Sequence, residues 1–142
     1  RFGMLHINPN NAISFPYGIA GIPNINNYCI AHLTPEYEQK LPNFKILQAT
    51  HDENIAFIVL PQNINNNLLT PSDLLDACEI QAIQPENLLL LFIASIHKNI
   101  NAEKRNQLSI NVKAPIFVDI HSKIASQYIF LSDEYDVRHI IE

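Results

Sequence analysis

From Leu88 to Ile96 the chain is apolar at every position except Ser95. The run is far short of the roughly 20 apolar residues a membrane helix needs. It follows Gln84-Pro85-Glu86-Asn87, which is turn chemistry. A strand that is apolar at both odd and even positions has no face for water, so it must lie centrally with material packed on both sides. The remaining segments therefore have to supply two covering layers around this strand.

Those segments are short and extended. Met4–Ile7 reads as a weak first strand, ended by Asn8-Pro9-Asn10-Asn11, and Ile13–Phe15 stops at Pro16, which has no amide hydrogen for a ladder. The stretch Pro16 to Pro23 holds Gly18 and Gly21, two of only three glycines, and reads as a shaped loop. Tyr28–Leu33 is a strand, and Lys45–Ala49 with Ile55–Leu60 forms a hairpin around His51-Asp52-Glu53-Asn54. Thr70-Pro71-Ser72-Asp73 starts a helix that runs to about Glu79. Thr70 is its cap, Pro71 its first residue, and Asp73 completes a capping-box-like spacing; Leu74, Leu75 and Cys78 are expected to be buried. Leu108–Lys113, Ile116–Ile120, Gln127–Leu131 and Tyr135–Ile140 complete the set of strands. The pattern predicts one mostly-β domain over residues 1–142, a small antiparallel barrel or folded sheet of short strands with one or two short helices. The asparagine clusters at 24–27 and 63–67 read as compositional drift tolerated in loops, and no internal repeat is present.

Chemistry-bearing patterns are scarce. Six histidines are scattered with no HExxH or similar pair, and the chain lacks GxGxxG, P-loop and GxSxG motifs. His51-Asp52-Glu53 is the one local cluster of possible metal ligands, and it falls in the hairpin turn. Cys29 and His32 would point to opposite faces of a strand, which defeats a Cys–His nucleophile. Cys29 and Cys78 show no metal-type spacing and are expected to be reduced thiols. No cofactor or metal is expected. With 14 acidic against 9 basic residues the net charge is −5, and Lys and Arg form no cluster, so direct nucleic-acid binding is disfavoured. Arg1-Phe2-Gly3 carries no secretion-type apolar segment, and the start at arginine instead of methionine points to a trimmed beginning. A cytoplasmic monomer, without membrane attachment, is the expectation.

Several segments in register resemble the flagellar assembly factor FliW family. Ile13-Ser14-Phe15-Pro16-Tyr17-Gly18-Ile19-Ala20-Gly21-Ile22 is similar to that family's opening I-x-F-P-x-G-[IL]-x-G-F. Ser109-Ile110-Asn111-Val112-Lys113-Ala114-Pro115-Ile116 resembles T-V-N-L-x-A-P-I. Leu47-Gln48-Ala49 with Phe57-Ile58-Val59, and Gln127 with Tyr135-Asp136-Val137-Arg138, continue the likeness toward the end of the chain, and Arg1-Phe2-Gly3 begins it. Departures are Ile22 where Phe is usual, Leu60 where Asp precedes Pro61, and Ala125 where Gly is usual. Most of these residues also have a structural reading: Asn111 and Gln127 offer amides to turn backbone groups, and Ala114-Pro115 ends ladder pairing.

The resemblance implies a protein-binding function without catalysis. Its partners would be flagellin and the CsrA-type RNA-binding regulator of flagellin translation, which is small and basic and suits an acidic chain. The acidic surface is expected on the capped helix (Asp73, Asp76, Glu79) or on the last hairpin (Asp133, Glu134, Asp136), with the Asn111–Ile116 bend as the remaining candidate. Two alternatives belong to other classes. One is a small hydrolase or transferase using scattered residues such as His51, Asp52 and Cys78. The other is a flagellin-export chaperone with no regulatory partner.

Overall fold

A computed structural model describes residues 11–97 and 107–141. Nine strands lie within them: β1 (Ile13–Ser14), β2 (Asn27–His32), β3 (Lys45–Ala49), β4 (Ala56–Gln62), β5 (Leu88–His97), β6 (Gln107–Ile110), β7 (Ile116–Asp119), β8 (Ile124–Gln127) and β9 (His139–Ile141). Two short helices, α1 (Pro35–Lys40) and α2 (Pro71–Ile80), join them. The sheet order β4-β3-β2-β1-β8-β7-β5 closes because β4 also pairs with β5, giving a seven-stranded barrel extended by β6 and β9. The barrel is mixed, not wholly antiparallel as the sequence predicts. β1 and β8 come from far ends of the chain and meet in parallel at Ser14 and Ile124.

The central position of the long apolar run follows directly from this arrangement. Val59 to Gln62 of β4 pair with one edge of β5; β7 and then β6 take the other edge, at Leu88–Leu91 and Ala94–His97. Alternation sorts its side chains into two cores. Leu91 points into the barrel with Ile13, Phe15, Tyr28, Leu47, Val59, Ile116 and Val118. Leu88, Leu90 and Phe92 point outward, into a second core with Ile46, Phe117, Phe130, Tyr135 and Leu74, Ala77 and Cys78 of α2. Leu88, Leu90, Leu91 and Phe92 are thus buried on the two faces of β5, and the strand becomes fully exposed only toward its end, at Ser95 and Ile96.

The loop before β2 is shaped by glycine. Gly18 has φ +67°, and a Cβ there would sit 2.6 Å from the Ile22 carbonyl oxygen and from Pro23 Cα, so backbone fills the space a side chain needs. The Asn-rich loop has a structural purpose that the drift reading missed. Asn66 Oδ1 accepts from the Leu68 and Leu69 amides, and Asn63 Oδ1 accepts from Asn65 N, so these side chains build the turn leading to α2.

Several boundaries differ from expectation. The predicted strand Gln127–Leu131 lies instead at Ile124–Gln127. Beyond it, Tyr128 N and Phe130 N donate to the Pro115 and Lys113 carbonyls, but Pro115 has no amide to return, so the ladder lapses. Leu108–Lys113 likewise ends early, at Ile110, where the bend begins. The predicted Tyr135–Ile140 strand shrinks to His139–Ile141, because Asp136 Oδ1 accepts from Arg138 N and holds a turn. The acidic segment before it is therefore no hairpin tip; it links β8 and β9, which do not pair. Leu75 is 48% exposed, not buried, since it sits a quarter-turn off the Leu74–Ala77–Cys78 face. Helix α1 was not anticipated, although Thr34-Pro35 repeats the Thr70-Pro71 signal; it buries no residue. The Met4–Ile7 strand falls outside the described residues.

Candidate partner-binding surface

Helix α2 is fixed at both ends by its own sequence. Thr70 Oγ1 accepts from Asp73 N at 3.2 Å, closing the first turn. At the other end Ile83 N donates to Cys78 O and Ala82 N to Glu79 O, a Schellman closure with Ala82 at φ +57°, where glycine is usual. Leu74, Ala77 and Cys78 face the outer core, which leaves Asp76 and Glu79 in solvent on the opposite side.

The Asp73 carboxylate does not complete a capping box. Its Oδ2 accepts instead from the Tyr135 hydroxyl at 2.5 Å, and the same hydroxyl oxygen accepts from Thr70 N at 3.1 Å. Tyr135 is buried, with its ring 5.1 Å from that of Phe130. One phenol therefore ties the start of α2 to the acidic segment, and its chain neighbours Glu134 and Asp136 are carried with it. The two acidic regions that the sequence offers as alternatives are joined at Asp73. Asp133, fully exposed, lies 4.0 Å from Lys113 Nζ, which also donates to Ser132 O. Solvent screens so exposed an ion pair and leaves it little weight, so the segment is held chiefly by Tyr135 and by Phe130 in the core. It also exposes apolar side chains: Ile129, Leu131 and Val137, with Leu131 93% accessible.

The remaining signature residues hold the fold. Asn111 is half-buried, and its Oδ1 accepts from Ala114 N, closing the bend between β6 and β7. Gln127 Nε2 donates to Ala114 O while its Oε1 accepts from Ala20 N, which joins that bend to the glycine loop. Gln48, buried beside Cys29 in the β2–β3 register, donates to the Ala49, Asp52 and Ile55 carbonyls and so closes the β3–β4 turn. Buried carboxamides used in this way satisfy backbone groups that would otherwise be stranded.

The residues considered for catalysis are dispersed. His51 and Asp52 sit in the β3–β4 turn, where Asp52 Oδ1 accepts from Asn54 N. Cys78 lies on the buried face of α2, and burial raises the thiol pKa of both Cys78 and Cys29, which disfavours the nucleophilic thiolate. Cys29 is buried while His32 is exposed, as strand alternation requires. A Ser–His contact that the sequence did not signal joins Ser109 Oγ and His97 Nε2 at 2.8 Å. Its polarity is wrong for a hydrolase. Arg138 Nη2 donates to His97 Nδ1, so the ring hydrogen sits on Nε2 and is given to Ser109, whereas a general base must accept the serine proton. Arg138, in the Tyr135–Arg138 motif, thus anchors the end of β5 to the segment leading into β9. No group of three or more potential metal-ligating side chains occurs among the described residues, and no helix among them is long and apolar enough to cross a membrane.

Comparison with known proteins gives a consistent result. Residues 1–141 match the family described as "FliW protein". The flagellar assembly factor FliW of Thermoanaerobacter pseudethanolicus is 30% identical, over 99% of this chain and 89% of the relative. The protein of the same description from Caldanaerobacter subterraneus subsp. tengcongensis is 29% identical over the same shares. A crystal structure of the flagellar assembly factor FliW superposes with a TM-score of 0.68 at 17% identity, covering 96% of this chain and 89% of that one, a likeness of fold.

Proposed function

This chain belongs to the FliW family and is a flagellar assembly factor, not an enzyme; from that premise we propose that it acts in the cytoplasm by binding flagellin and a CsrA-type regulator. Holding the regulator frees flagellin translation, and flagellin competing for the factor returns it to repression, so synthesis follows export. The observation that carries this reading is the Tyr135–Asp73 contact, which joins the acidic helix and the acidic segment before β9. A net charge of −5, with Asp76, Glu79, Asp133, Glu134 and Asp136 all exposed, suits a basic protein and speeds its encounter. The same segment exposes Ile129, Leu131 and Val137, apolar area of the kind an amphipathic helix from a flagellin terminus would cover.

The test separates the two partners. Asp133→Lys with Glu134→Lys, or Asp76→Lys with Glu79→Lys, is expected to slow association with the regulator and spare flagellin. The regulator's affinity should fall with salt, because exposed charges are screened over about 8 Å at physiological ionic strength. Leu131→Asp should do the reverse. Titration calorimetry at two salt concentrations measures both. If neither charge reversal alters regulator binding, the acidic assignment is wrong; if flagellin alone binds, the factor is an export chaperone without a regulatory partner.

A further inference from the structure

β9 is the outermost strand of the sheet; it spans three residues and, among the described residues, pairs with β6 alone. So short a ladder gives little stability by itself. Its approach is tied to β5 through Arg138, whose Nη2 donates to His97 Nδ1 at 3.0 Å. His97 closes β5 opposite Gln107 of β6, and its other ring nitrogen, Nε2, lies 2.8 Å from the Ser109 hydroxyl oxygen. Ser109 is 1% exposed and pairs with Ile140 of β9. One imidazole thus bridges β6 and the entry to β9.

Both contacts require the neutral ring in a single tautomer. A guanidinium has only hydrogens to give, so Nδ1 must keep its lone pair for Arg138 and the one ring hydrogen must sit on Nε2. Protonation treats the two contacts unequally. Nε2 still donates to Ser109, but Nδ1 then carries a hydrogen of its own and faces the guanidinium, donor against donor and cation against cation. The surroundings offer no compensating charge. On this face β6 contributes Gln107 and Ser109 and β5 contributes Ser95, all neutral. His139 of β9 pairs with Ile110, on the opposite face of the sheet, and pairing with β4 ends at Ile93, well before His97. Asp136, the acid closest to Arg138 in the chain, uses Oδ1 for the Arg138 amide.

We propose that His97 is a proton-sensitive fastener for this edge of the sheet: neutral, it holds the entry to β9 against the end of β5, and protonated, it keeps Ser109 and releases Arg138. The loosening is confined to 138–141. Tyr135, and the Asp136 carbonyl that accepts from the Val112 and Lys113 amides, hold the preceding segment in either state. His32 supplies an internal contrast. Its Nδ1 takes Lys45 Nζ at 2.9 Å, again a cationic donor, but these two residues end a ladder of five pairs between β2 and β3. Both of those strands have neighbours on either side in the barrel wall, so they do not depend on that contact.

Amide exchange followed by NMR at about pH 7.5 and about pH 5.5, which bracket the ordinary titration of an imidazole, tests this once intrinsic rates are divided out. Amides of 138–141 should exchange about two- to fivefold faster at the lower pH, as expected for losing one partly exposed contact to a charged group, while those of His32 and Lys45 hold. His97→Gln removes the proton site but keeps an acceptor and a donor on one amide, so it should abolish the pH response. Arg138→Ala should make 138–141 exchange quickly at both pH values, and His139→Gln should leave the response intact. The proposal is overturned by a wild-type protein without the response, by a response that survives His97→Gln or is lost in His139→Gln, by slow exchange in Arg138→Ala, or by equal quickening at His32 and Lys45.

Discussion

The barrel interior and the outer core beneath α2 are built from alternate residues of the same strands, yet they are held in different ways. The interior is filled by side chains such as Leu47, Val59, Leu91 and Ile116, all fully buried, and strand pairing alone sets their positions. The outer core is equally apolar, but its lid is made of non-strand pieces: α2, and the segment carrying Phe130 and Tyr135. These pieces have no ladder to register them. Polar contacts at the margin do that work: Tyr135 to Asp73 and Thr70, Ser126 to Gln81, and Lys113 to Ser132. A closed sheet can thus stay rigid while the surface used for recognition is tied down by a few replaceable bonds.

Three substitutions test that contrast. Leu91→Ala, in the interior, should destabilise the whole protein by about 3–4 kcal/mol, since the closed barrel cannot collapse around the void. Urea unfolding monitored on both sides of the sheet should shift as a single transition. Tyr135→Phe should cost about 2 kcal/mol, the value of a hydrogen bond to a charged acceptor, and the cost should be local. Hydrogen exchange is expected to quicken in α2 and in 130–138 and to stay slow in β3 and β5; uniform quickening would show that the two regions are not separable. The smallest effect is expected at Tyr28, whose hydroxyl is buried without a hydrogen-bond partner among the described residues and whose pKa is raised by desolvation. Tyr28→Phe should raise stability by about 0.5–1 kcal/mol by removing an unpaired polar atom. A loss instead would reveal a partner for that hydroxyl and a polar tie inside the barrel.

Much of the strand layout was legible because its signals are local. The doubly apolar run at Leu88, the proline at 16 and the Thr70-Pro71 start each act within a few residues. What escaped depends on contacts across the fold. Nothing in the sequence around Pro115 shows that its missing amide would unpair a segment a dozen residues later. Tyr135 reads as one more apolar strand position, and only its placement over α2 turns its hydroxyl into the link between two acidic regions. Helix α1 is the opposite case: its Thr34-Pro35 start was visible, but with no buried face it leaves no periodicity to find. Asn111 and Gln127 were readable as amides serving turns, while the particular turns were not.

The parallel contact between β1 and β8 has a consequence for how the molecule assembles. Strands β2 to β4 are neighbours in sequence and meet through short connections, so their pairing carries little loop-closure entropy. The seam at Ser14 and Ile124, reinforced by Ser14 N donating to Lys123 O, must instead bring together positions on either side of nearly the whole barrel. Such non-local pairing sets the pace of folding, which makes the seam the step that completes the barrel. Pulse-labelled exchange during refolding should protect the β2–β4 amides first and Ser14 among the last. Early protection of Ser14 would place the nucleus at the seam itself.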